Sequence, residues 1–367
     1  MVRDTIFSPA FGNRPSQLVG RDVILRQLLD GLMAVPGSKE RATLLLGQRG
    51  MGKTVLLWEI AETVREKNYV VASPTIVSEN MLERIIEKIQ EDSEQYLNKK
   101  KLHLTGANVG VMGFSAGIQF SREEQETKSP EYRLARICRE LARFEVNVLI
   151  LVDEVQANSA ELKRLIIAYQ ELVGEGLPVA IIMAGLPASV SQTLNDKVLT
   201  FFNRTRKLDI GPLNLRDINA FYEEAFSTLH IEISSDLCTK AAEATLGSPY
   251  LLQLIGHNLV LSASSDSMTV NQDVYNKAIK ASQNDYQEDI CKTTLAPLSD
   301  RDIDFLRAMS KDADTSKVFD IAVRMGVTTD YAQKYRRRLL ETGIIEAPRR
   351  GVVAFAVPYL ADYLRRS

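Results

Sequence analysis

The sequence of 367 residues lacks the features that mark several protein classes. Its three cysteines, Cys138, Cys238 and Cys291, are scattered and lack metal-ligand spacing, so neither a disulfide framework nor a zinc site is predicted. No run approaches the ~18 uninterrupted apolar residues of a membrane span. The N-terminal stretch has no apolar core of the kind that a secretory signal needs. These absences predict a cytoplasmic protein with buried, reduced thiols and no membrane segment.

The sequence also lacks an excess of either sign of charge, because its 45 Lys and Arg nearly balance its 47 Asp and Glu and the net charge is only −2. The molecule as a whole is therefore not a cationic binder of nucleic acid. The distribution is uneven, however, since residues 315–367 hold ten Lys and Arg against five Asp and Glu, a net of +5. A basic C-terminal segment on an acidic body indicates a negatively charged partner for that segment.

Short apolar runs alternate with amphipathic segments through the first half of the chain. The runs lie at 42–47, 69–77, 147–154 and 178–185, with a weaker one at 206–213. Segments of helical period lie between them at 53–67, 79–98, 131–144 and 159–174. Apolar runs without alternation suit strands that are buried on both faces of a parallel sheet. The pattern predicts an α/β fold with a doubly wound parallel sheet.

Three domains are predicted, at 1–213, 214–298 and 299–367. The strand signal stops in the second, which is expected to be helical, and the third has three short helices followed by two β-rich runs. The glycine-rich stretch 104–120 has alternating apolar residues and predicts a hairpin inserted before the third strand. That hairpin either covers the core as a sheet edge or contacts a partner.

The segment GQRGMGKT fits the phosphate-binding pattern G-x-x-x-x-G-K-[ST], between a predicted strand and a predicted helix. Its glycines permit backbone turns that aim successive N–H groups at phosphate oxygens. Lys53 is expected to reach the β- and γ-phosphates, and the Thr54 hydroxyl is expected to ligate Mg²⁺. The predicted nucleotide-contacting residues of this loop are Gly47, Gln48, Arg49, Gly50, Met51, Gly52, Lys53 and Thr54.

The run VLILVDEVQ supplies the acidic part of the predicted site. Asp153 ends an apolar strand, where its carboxylate is placed to hold Mg²⁺, and Glu154 is placed to orient or deprotonate the attacking water. Arg204 and Arg206 precede the fifth run and are candidates for an arginine finger, or else belong to a basic surface loop. A finger that reaches a neighbouring subunit would require self-association.

In this order the motifs resemble the AAA+ superfamily of P-loop ATPases. More narrowly, they resemble the bacterial and archaeal ATPases related to origin-recognition-type replication initiators and to STAND signalling proteins. The stretches that carry the resemblance are LVGRD (18–22), GQRGMGKT, LILVDEVQ, IIMAGLP (181–187), FFNRTR, LGSPYLLQLIG (246–256) and a C-terminal winged-helix pattern. The resemblance implies ATP or ADP with Mg²⁺ as ligands, Val19 and Gly20 against the adenine, a lid at 214–298, and Pro249 close to the nucleotide.

Two departures from the family pattern bear on hydrolysis. The strand ending IIMAGLP would be expected to present a polar sensor residue near the γ-phosphate, but Ala184, Gly185 and Leu186 supply none. The lid helix has Pro249 and Tyr250 where many AAA+ lids have an arginine. Both departures are compatible with nucleotide binding and favour a slow ATP/ADP switch over a fast motor.

The last segment resembles the winged helix-turn-helix of DNA-binding proteins, in which the third helix enters the major groove. On that helix Ala332, Tyr335 and Leu339 are expected to pack inward, and Arg338 is expected to lie on a flank away from DNA. The residues expected to contact duplex DNA are Thr329, Gln333, Lys334, Arg336 and Arg337 on the helix, with Arg349 and Arg350 on the wing. Gln and Arg suit base edges, whereas Lys and the wing arginines suit phosphates.

The sequence leaves two functions open. The first is an ATPase switch that hydrolyses ATP slowly, couples nucleotide state to contact with double-stranded DNA, and self-associates on DNA. The alternative is a STAND-like signalling ATPase whose winged helix docks on a protein partner, its cations being merely solvated. A chaperone-like remodeller is disfavoured because the sequence shows no aromatic pore-loop motif.

Overall fold

The computed structural model describes residues 4–9, 15, 17–103, 127–156, 159–187, 189–190, 203–264 and 268–366. The hairpin predicted at 104–120 therefore lies outside the described residues. The chain forms two compact units. The sheet unit comprises Asp22–Gly47 and Lys53–Ile210, and the helical unit comprises Met1–Arg21, Gln48–Gly52 and Gly211–Ser367. The three-domain division stays a prediction.

Five parallel strands form the centre of the sheet unit, and they match the five predicted runs. They are β1 Ala42–Leu46, β2 Tyr69–Ile76, β3 Asn147–Val155, β4 Val179–Gly185 and β5 Arg206–Asp209. Their order is β2-β3-β4-β1-β5, and every neighbouring pair is parallel. Residues of β4 are buried along its whole length. Side chains of such a strand meet core on both faces, which explains why its sequence shows no polar alternation.

In the part of this unit that the structure describes, five helices pack around these strands. They are α1 Asp22–Leu32, α2 Lys53–Arg65, α3 Met81–His103, α4 Pro130–Arg143 and α5 Ala160–Gly174. The hydroxyls of Ser129 and Ser159 accept hydrogen bonds from the first turns of α4 and α5, which fixes where these helices begin. The α/β fold is thereby confirmed. Among the described residues, no helix combines the length and apolar character needed to cross a bilayer.

Four helices open the helical unit: α6 Leu215–Thr228, α7 Ser235–Ala244, α8 Pro249–Ser264 and α9 Gln272–Tyr286. They are joined by a short parallel pair, β6 Glu232–Ile233 and β7 Thr269–Val270. The sequence predicted a helical domain here and did not predict this pair, because two-residue strands leave no periodic signal. Helix α9 continues through a π-helical turn, Gln287–Lys292, into the short helix Thr293–Leu295.

The C-terminal part of the helical unit is a set of short helices with a three-stranded sheet. In chain order these are α10 Asp300–Met309, β8 Thr315–Lys317, α11 Val318–Met325, α12 Thr329–Glu341, β9 Ile345–Arg349, β10 Val352–Phe355 and α13 Leu360–Arg366. The strands pair antiparallel in the order β8-β10-β9. This is the order of elements in a winged helix-turn-helix. The sequence did not predict β8 or α13, which are short.

The three cysteines are buried and free. Burial raises the pKa of each thiol, Cys138, Cys238 and Cys291, to about 12. They are therefore protonated at neutral pH and behave as small apolar side chains, as predicted. Among the described residues, no group of three or more His, Cys, Asp or Glu is arranged to hold a metal ion.

An N-terminal phenylalanine anchors the start of the chain to the helical unit. Phe7 is 5% exposed, and its ring meets Phe221 edge-on at 5.8 Å between centroids. The same ring lies against Gly256 of α8, where an added Cβ would come within 2.2 Å of it. The Phe7 ring therefore occupies the space that a side chain at position 256 would fill.

This contact predicts that Gly256→Ala changes the free energy of unfolding in opposite directions in the parent chain and in a Phe7→Ala background. Gly256→Ala should destabilise the parent chain, since its methyl group overlaps the Phe7 ring. In a Phe7→Ala background the same change should be stabilising by about 1 kcal/mol, the difference in helix propensity between Gly and Ala. Phe7→Ala alone should cost about 3–5 kcal/mol. Urea unfolding of the four chains measures the coupling, and additive effects would contradict the contact between Phe7 and Gly256.

Candidate functional site

The three glycines of the phosphate-binding loop are required for different reasons. Gly47 directly follows β1, and a Cβ added there would lie 2.5 Å from the carbonyl oxygen of Ile210. Gly50 and Gly52 have φ of +76° and +79°, a region that glycine occupies without steric cost. The loop therefore has the backbone conformation that the motif predicts.

Lys53 and Thr54 open α2 in the sheet unit. The Lys53 ammonium donates a hydrogen bond to the Gly47 carbonyl at 2.8 Å, across the base of the loop. The Thr54 hydroxyl donates to the Asp153 carboxylate at 2.6 Å. Because α2 is a 13-residue helix, its N-terminus also contributes positive partial charge where these side chains begin. The structure thus brings Thr54 and Asp153 together and places the Lys53 ammonium against Gly47, at the start of the loop.

Asp153 and Glu154 differ sharply although they are neighbours in β3. Asp153 is 6% exposed, and its second carboxylate oxygen accepts the Glu154 N–H at 2.9 Å. Glu154 is exposed and has φ of +53°. The β3–β4 register shifts between Val152 and Val155, which marks a bulge at these two acids. A non-glycine residue in this backbone region costs about 1–3 kcal/mol, and such strain is typical of functional positions.

The donor atoms at Thr54 and Asp153 fit Mg²⁺. This cation takes oxygen ligands, and protein sites commonly supply one or two carboxylates while substrate phosphates supply other ligands. The hydroxyl and the carboxylate lie within hydrogen-bond distance of each other, so one cation could use both oxygens. Mg²⁺ bound here would neutralise charge on the β- and γ-phosphates.

In the helical unit, Arg21 holds the middle of the loop, which the sequence did not single out. Its guanidinium is buried and donates to the carbonyls of Met51 at 3.2 Å and Gly211 at 2.6 Å. Burial lowers the pKa of Arg21. The signal available in the sequence was its position within LVGRD, directly after the predicted adenine contacts.

The remaining predicted nucleotide residues lie near the same loop or on the same segment. Val19 packs partly buried against the helical core, and Gly20 has φ of +63°. A Cβ on Gly20 would lie 2.9 Å from the Asp217 carboxylate of α6. At the start of α8, Pro249 lies 3.7 Å from where a Cβ of Gly52 would be. In the loop itself, Gln48 is half-buried, Arg49 is exposed and Met51 is buried.

Arg21→Lys should weaken ATP binding. Both hydrogen bonds are donated by Nη2 of Arg21, and the shorter lysine side chain does not carry its ammonium that far, so the loop loses one charge-assisted hydrogen bond of about 1.5–3 kcal/mol. We expect an increase of about tenfold in the Kd for ATP, measured by isothermal titration calorimetry. Arg26→Lys is the matched control, because Arg26 is exposed on α1. Equal affinities in the two variants would show that Arg21 does not order the loop.

The end of β4 has no space for a polar sensor residue. Ala184 is fully buried, and a Cβ added to Gly185 would lie 2.9 Å from Val155 and 3.0 Å from Val190. A larger side chain at Gly185 would displace the strand that carries Asp153 and Glu154. The missing sensor residue is therefore a consequence of close packing between β3 and β4.

The two candidate arginine fingers differ in their surroundings. The Arg206 guanidinium donates to the backbone and side-chain oxygens of Gln27 on α1, at 3.0 and 3.4 Å. Arg204 is exposed. Arg204 is therefore the better candidate to reach another subunit, while Arg206 holds β5 against α1.

The predicted DNA-contacting residues lie on α12 and on the turn between β9 and β10. Ala332, Tyr335 and Leu339 are buried, which confirms the inward face. The exposed cations are Lys334, Arg337, Arg349 and Arg350, whereas Thr329, Gln333 and Arg336 are half-buried. Arg338 donates to buried Asp302 at 2.9 Å and to Ser299 at 2.8 Å. It ties α12 to the capping box of α10 and so has a structural role.

Some basic residues of the C-terminal segment form ion pairs and others do not. Arg324 pairs with Asp312, Arg338 pairs with Asp302, and Arg365 pairs with Asp362. Within the described part of the chain, no acid lies within ion-pair distance of Lys334, Arg337, Arg349 or Arg350. The four cations on the face predicted to meet phosphates thus have no ion-pair partner in that part of the chain, and the same holds for exposed Lys317 and Arg366.

Comparisons with known proteins agree with this geometry. Residues 17–182 match the family model of the AAA ATPase domain, and residues 288–364 match a domain of unknown function, DUF8462. No curated protein is significantly similar to the chain in sequence.

Solved structures with the same fold cover nearly the whole chain. A Walker-type ATPase of Pyrococcus abyssi is 18% identical, with a TM-score of 0.68 over 96% of this chain and 97% of its own. The ORC2 protein of Aeropyrum pernix, in ADPNP–ADP complexes, is 14% identical, with a TM-score of 0.63 over 98% and 95%. The CDC6P protein of Pyrobaculum aerophilum is 17% identical, with a TM-score of 0.51 over 98% and 96%. Residues 17–182 are therefore similar to AAA ATPase domains, and the chain has the fold of these three solved structures.

Proposed function

We propose that this protein is an ATP-binding and slowly hydrolysing switch whose nucleotide state controls contact between its winged helix and double-stranded DNA. The observation that carries the nucleotide half is the Thr54–Asp153 contact at 2.6 Å, beside a loop in which Gly50 and Gly52 have positive φ. The observation that carries the DNA half is the set of four exposed cations on α12 and the wing without an acidic partner.

The chain's own residues divide the work of ATP hydrolysis. Backbone N–H groups of Gly47–Thr54 and the Lys53 ammonium bind the phosphates, and Thr54 with Asp153 would hold Mg²⁺, which would neutralise phosphate charge. Glu154 accepts a proton from the water as its oxygen attacks the γ-phosphorus, and the bond to the ADP oxygen breaks. Glu154 is exposed, so its carboxylate is accessible to a water molecule. The apolar end of β4 offers no further polar group, which favours slow turnover.

Self-association on ATP binding follows from Arg204. An exposed arginine before β5 suits a contact with the γ-phosphate of a second copy, and such a contact adds positive charge that the loop alone does not supply. Hydrolysis would then be faster in the assembled state than in the monomer.

The test of the whole proposal is binding of a duplex with ATP, with ADP and without nucleotide, over a range of salt concentrations. For each phosphate that the winged helix contacts, the slope of log K against log salt should steepen by about 0.9. We expect tighter binding with ATP than with ADP. Absence of duplex binding at low salt in every nucleotide state would contradict the DNA half while leaving ATP binding intact.

One observation favours the second candidate function, docking of the winged helix on a protein. Phe319 and Val323 lie one helical turn apart on α11, and each is 63% exposed. Adjacent exposed apolar side chains are typical of protein contact surfaces. If the chain binds no duplex and Phe319→Ser abolishes capture of a partner that the parent retains, docking is the function of this module.

A further inference from the structure

Three tyrosines form a continuous cluster inside the helical unit. The Tyr250 ring lies 5.9 Å from the Tyr286 ring, which lies 6.1 Å from the Tyr359 ring, measured between centroids. The Tyr250 hydroxyl donates to the Asp289 carboxylate at 3.2 Å, and the Tyr359 hydroxyl donates to the Ala244 carbonyl at 2.6 Å. Burial raises the pKa of Tyr250 to about 12, so this hydroxyl remains a donor at neutral pH.

One end of the cluster is next to the phosphate-binding loop. Tyr250 directly follows Pro249, whose ring lies 3.7 Å from where a Cβ of Gly52 would be. Gly52 has φ of +79° and immediately precedes Lys53, so its backbone belongs to the part of the loop expected to bind phosphates. Pro249 opens α8, the helix that carries Tyr250, so the start of α8 is the side-chain environment nearest to Gly52.

The other end of the cluster is part of the winged helix. Tyr359 lies between β10 and α13 and has φ of +58°, a conformation that non-glycine residues adopt at a cost of about 1–3 kcal/mol. The preceding residue, Pro358, accepts a hydrogen bond from the Cys291 thiol at 3.8 Å. Surrounding contacts hold Tyr359 in this conformation, among them its bond to Ala244.

The element between the two ends is the π-helical turn Gln287–Lys292, which contains both Asp289 and Cys291. A π-turn holds one residue more than an α-helical turn, and such turns are rare and frequent at functional sites. Conversion to α-helix would rotate the following chain by roughly 100°, the angle per residue of an α-helix. In the observed arrangement, the turn places Asp289 against the Tyr250 hydroxyl and the Cys291 thiol against the Pro358 carbonyl.

We propose that Tyr250, Asp289 and Tyr359 connect the nucleotide loop to the winged helix, with the π-helical turn as the element that changes state. The inference rests on the proposed function, because it says how that switch is transmitted. ATP at the loop shifts Gly52 and Pro249, the Tyr250–Asp289 hydrogen bond transmits the shift to the π-turn, and the turn re-orients the winged helix. By thermodynamic linkage, DNA on the winged helix must tighten ATP binding by the same factor.

The test uses hydroxyl deletions that keep the rings. Tyr250→Phe and Tyr359→Phe each remove one hydrogen bond and leave the aromatic packing. Tyr275→Phe is the matched control, because Tyr275 is a partly buried tyrosine on the adjacent helix α9. Three quantities are measured for each full-length chain: the Kd for ATP without DNA, the Kd for a duplex without nucleotide, and the ratio of duplex affinities with ATP and with ADP.

We expect the two separate affinities of Tyr250→Phe and Tyr359→Phe to stay within about twofold of the parent. The ratio between ATP and ADP should fall at least fivefold, since allosteric couplings are commonly about 5–150-fold. The double variant should lose no more than either single one, because both interrupt the same connection. A merely structural role would instead lower stability and both affinities together.

Hydrogen exchange supplies a readout that does not depend on DNA. ATP should change the exchange rates of amides at 287–292 in the parent and in Tyr275→Phe, but not in Tyr250→Phe. If Tyr250→Phe keeps both the exchange response and the coupling ratio, the proposed connection is wrong while the ATP switch stands. If the parent does not bind ATP, the proposed function itself fails.

Discussion

Lys53→Ala is expected to lower the affinity for ATP by a factor on the order of 100 to 1,000. Its ammonium lies at the base of the loop, 2.8 Å from the Gly47 carbonyl, where it can be redirected to phosphate oxygens. Each charge-assisted hydrogen bond to a phosphate contributes about 1.5–3 kcal/mol, and the motif predicts contacts to two phosphates. Isothermal titration with ATP and Mg²⁺ measures the loss.

The matched control is Lys67→Ala, which removes an exposed lysine just beyond the other end of the same helix, α2. Its affinity for ATP should equal that of the parent. A second comparison, Glu154→Gln, should bind ATP normally and lose turnover, because it removes the proton acceptor and keeps the phosphate contacts. Tight ATP binding by Lys53→Ala would show that nucleotide does not occupy the loop Gly47–Thr54.

The sequence predicted those parts of the site in which the local backbone conformation or the position in a helix or strand requires a particular residue type. Gly50 and Gly52 need positive φ, Lys53 and Thr54 open a helix after a strand, and Asp153 directly follows the unbroken apolar run of β3. Each requirement is readable within a short window. The five central strands were predicted for the same reason, since strands buried on both faces leave unbroken apolar runs.

The parts that were missed depend on contacts between distant residues. Arg21 donates to the carbonyls of Met51 and Gly211, which lie 30 and 190 residues away in the chain. Every residue has a backbone carbonyl, so the sequence does not indicate which ones a side chain contacts. The π-turn is equally invisible, because its residues look like any amphipathic helix. Arg338 was predicted to lie away from DNA, and the structure adds the reason, a contact with Asp302 on α10.

Removing two cations from α12 is expected to weaken duplex binding by about 30–100-fold at physiological salt. In Lys334→Ala/Arg337→Ala both of the removed charges are exposed and have no acidic partner among the described residues, so both are available to phosphates. The salt slope should fall by about 0.9 for each phosphate that the variant no longer neutralises, giving a total change of roughly 2. Fluorescence anisotropy with a labelled duplex at several salt concentrations measures both quantities.

The control that decides the interpretation is Lys277→Ala/Lys280→Ala. These lysines are exposed on α9 with the same three-residue spacing, so the variant loses the same net charge from a helix outside the winged helix. A wing variant, Arg349→Ala/Arg350→Ala, should behave like the α12 pair, because a winged helix contacts backbone phosphates with its wing as well as with its third helix. If all three variants lose affinity equally, DNA senses only net charge and the winged helix is not the binding surface. If the dependence of duplex affinity on salt becomes weaker in the α12 and wing variants alone, their cations without ion-pair partners are the phosphate contacts. Arg338 is then not one of these contacts, because its guanidinium is bonded to Asp302.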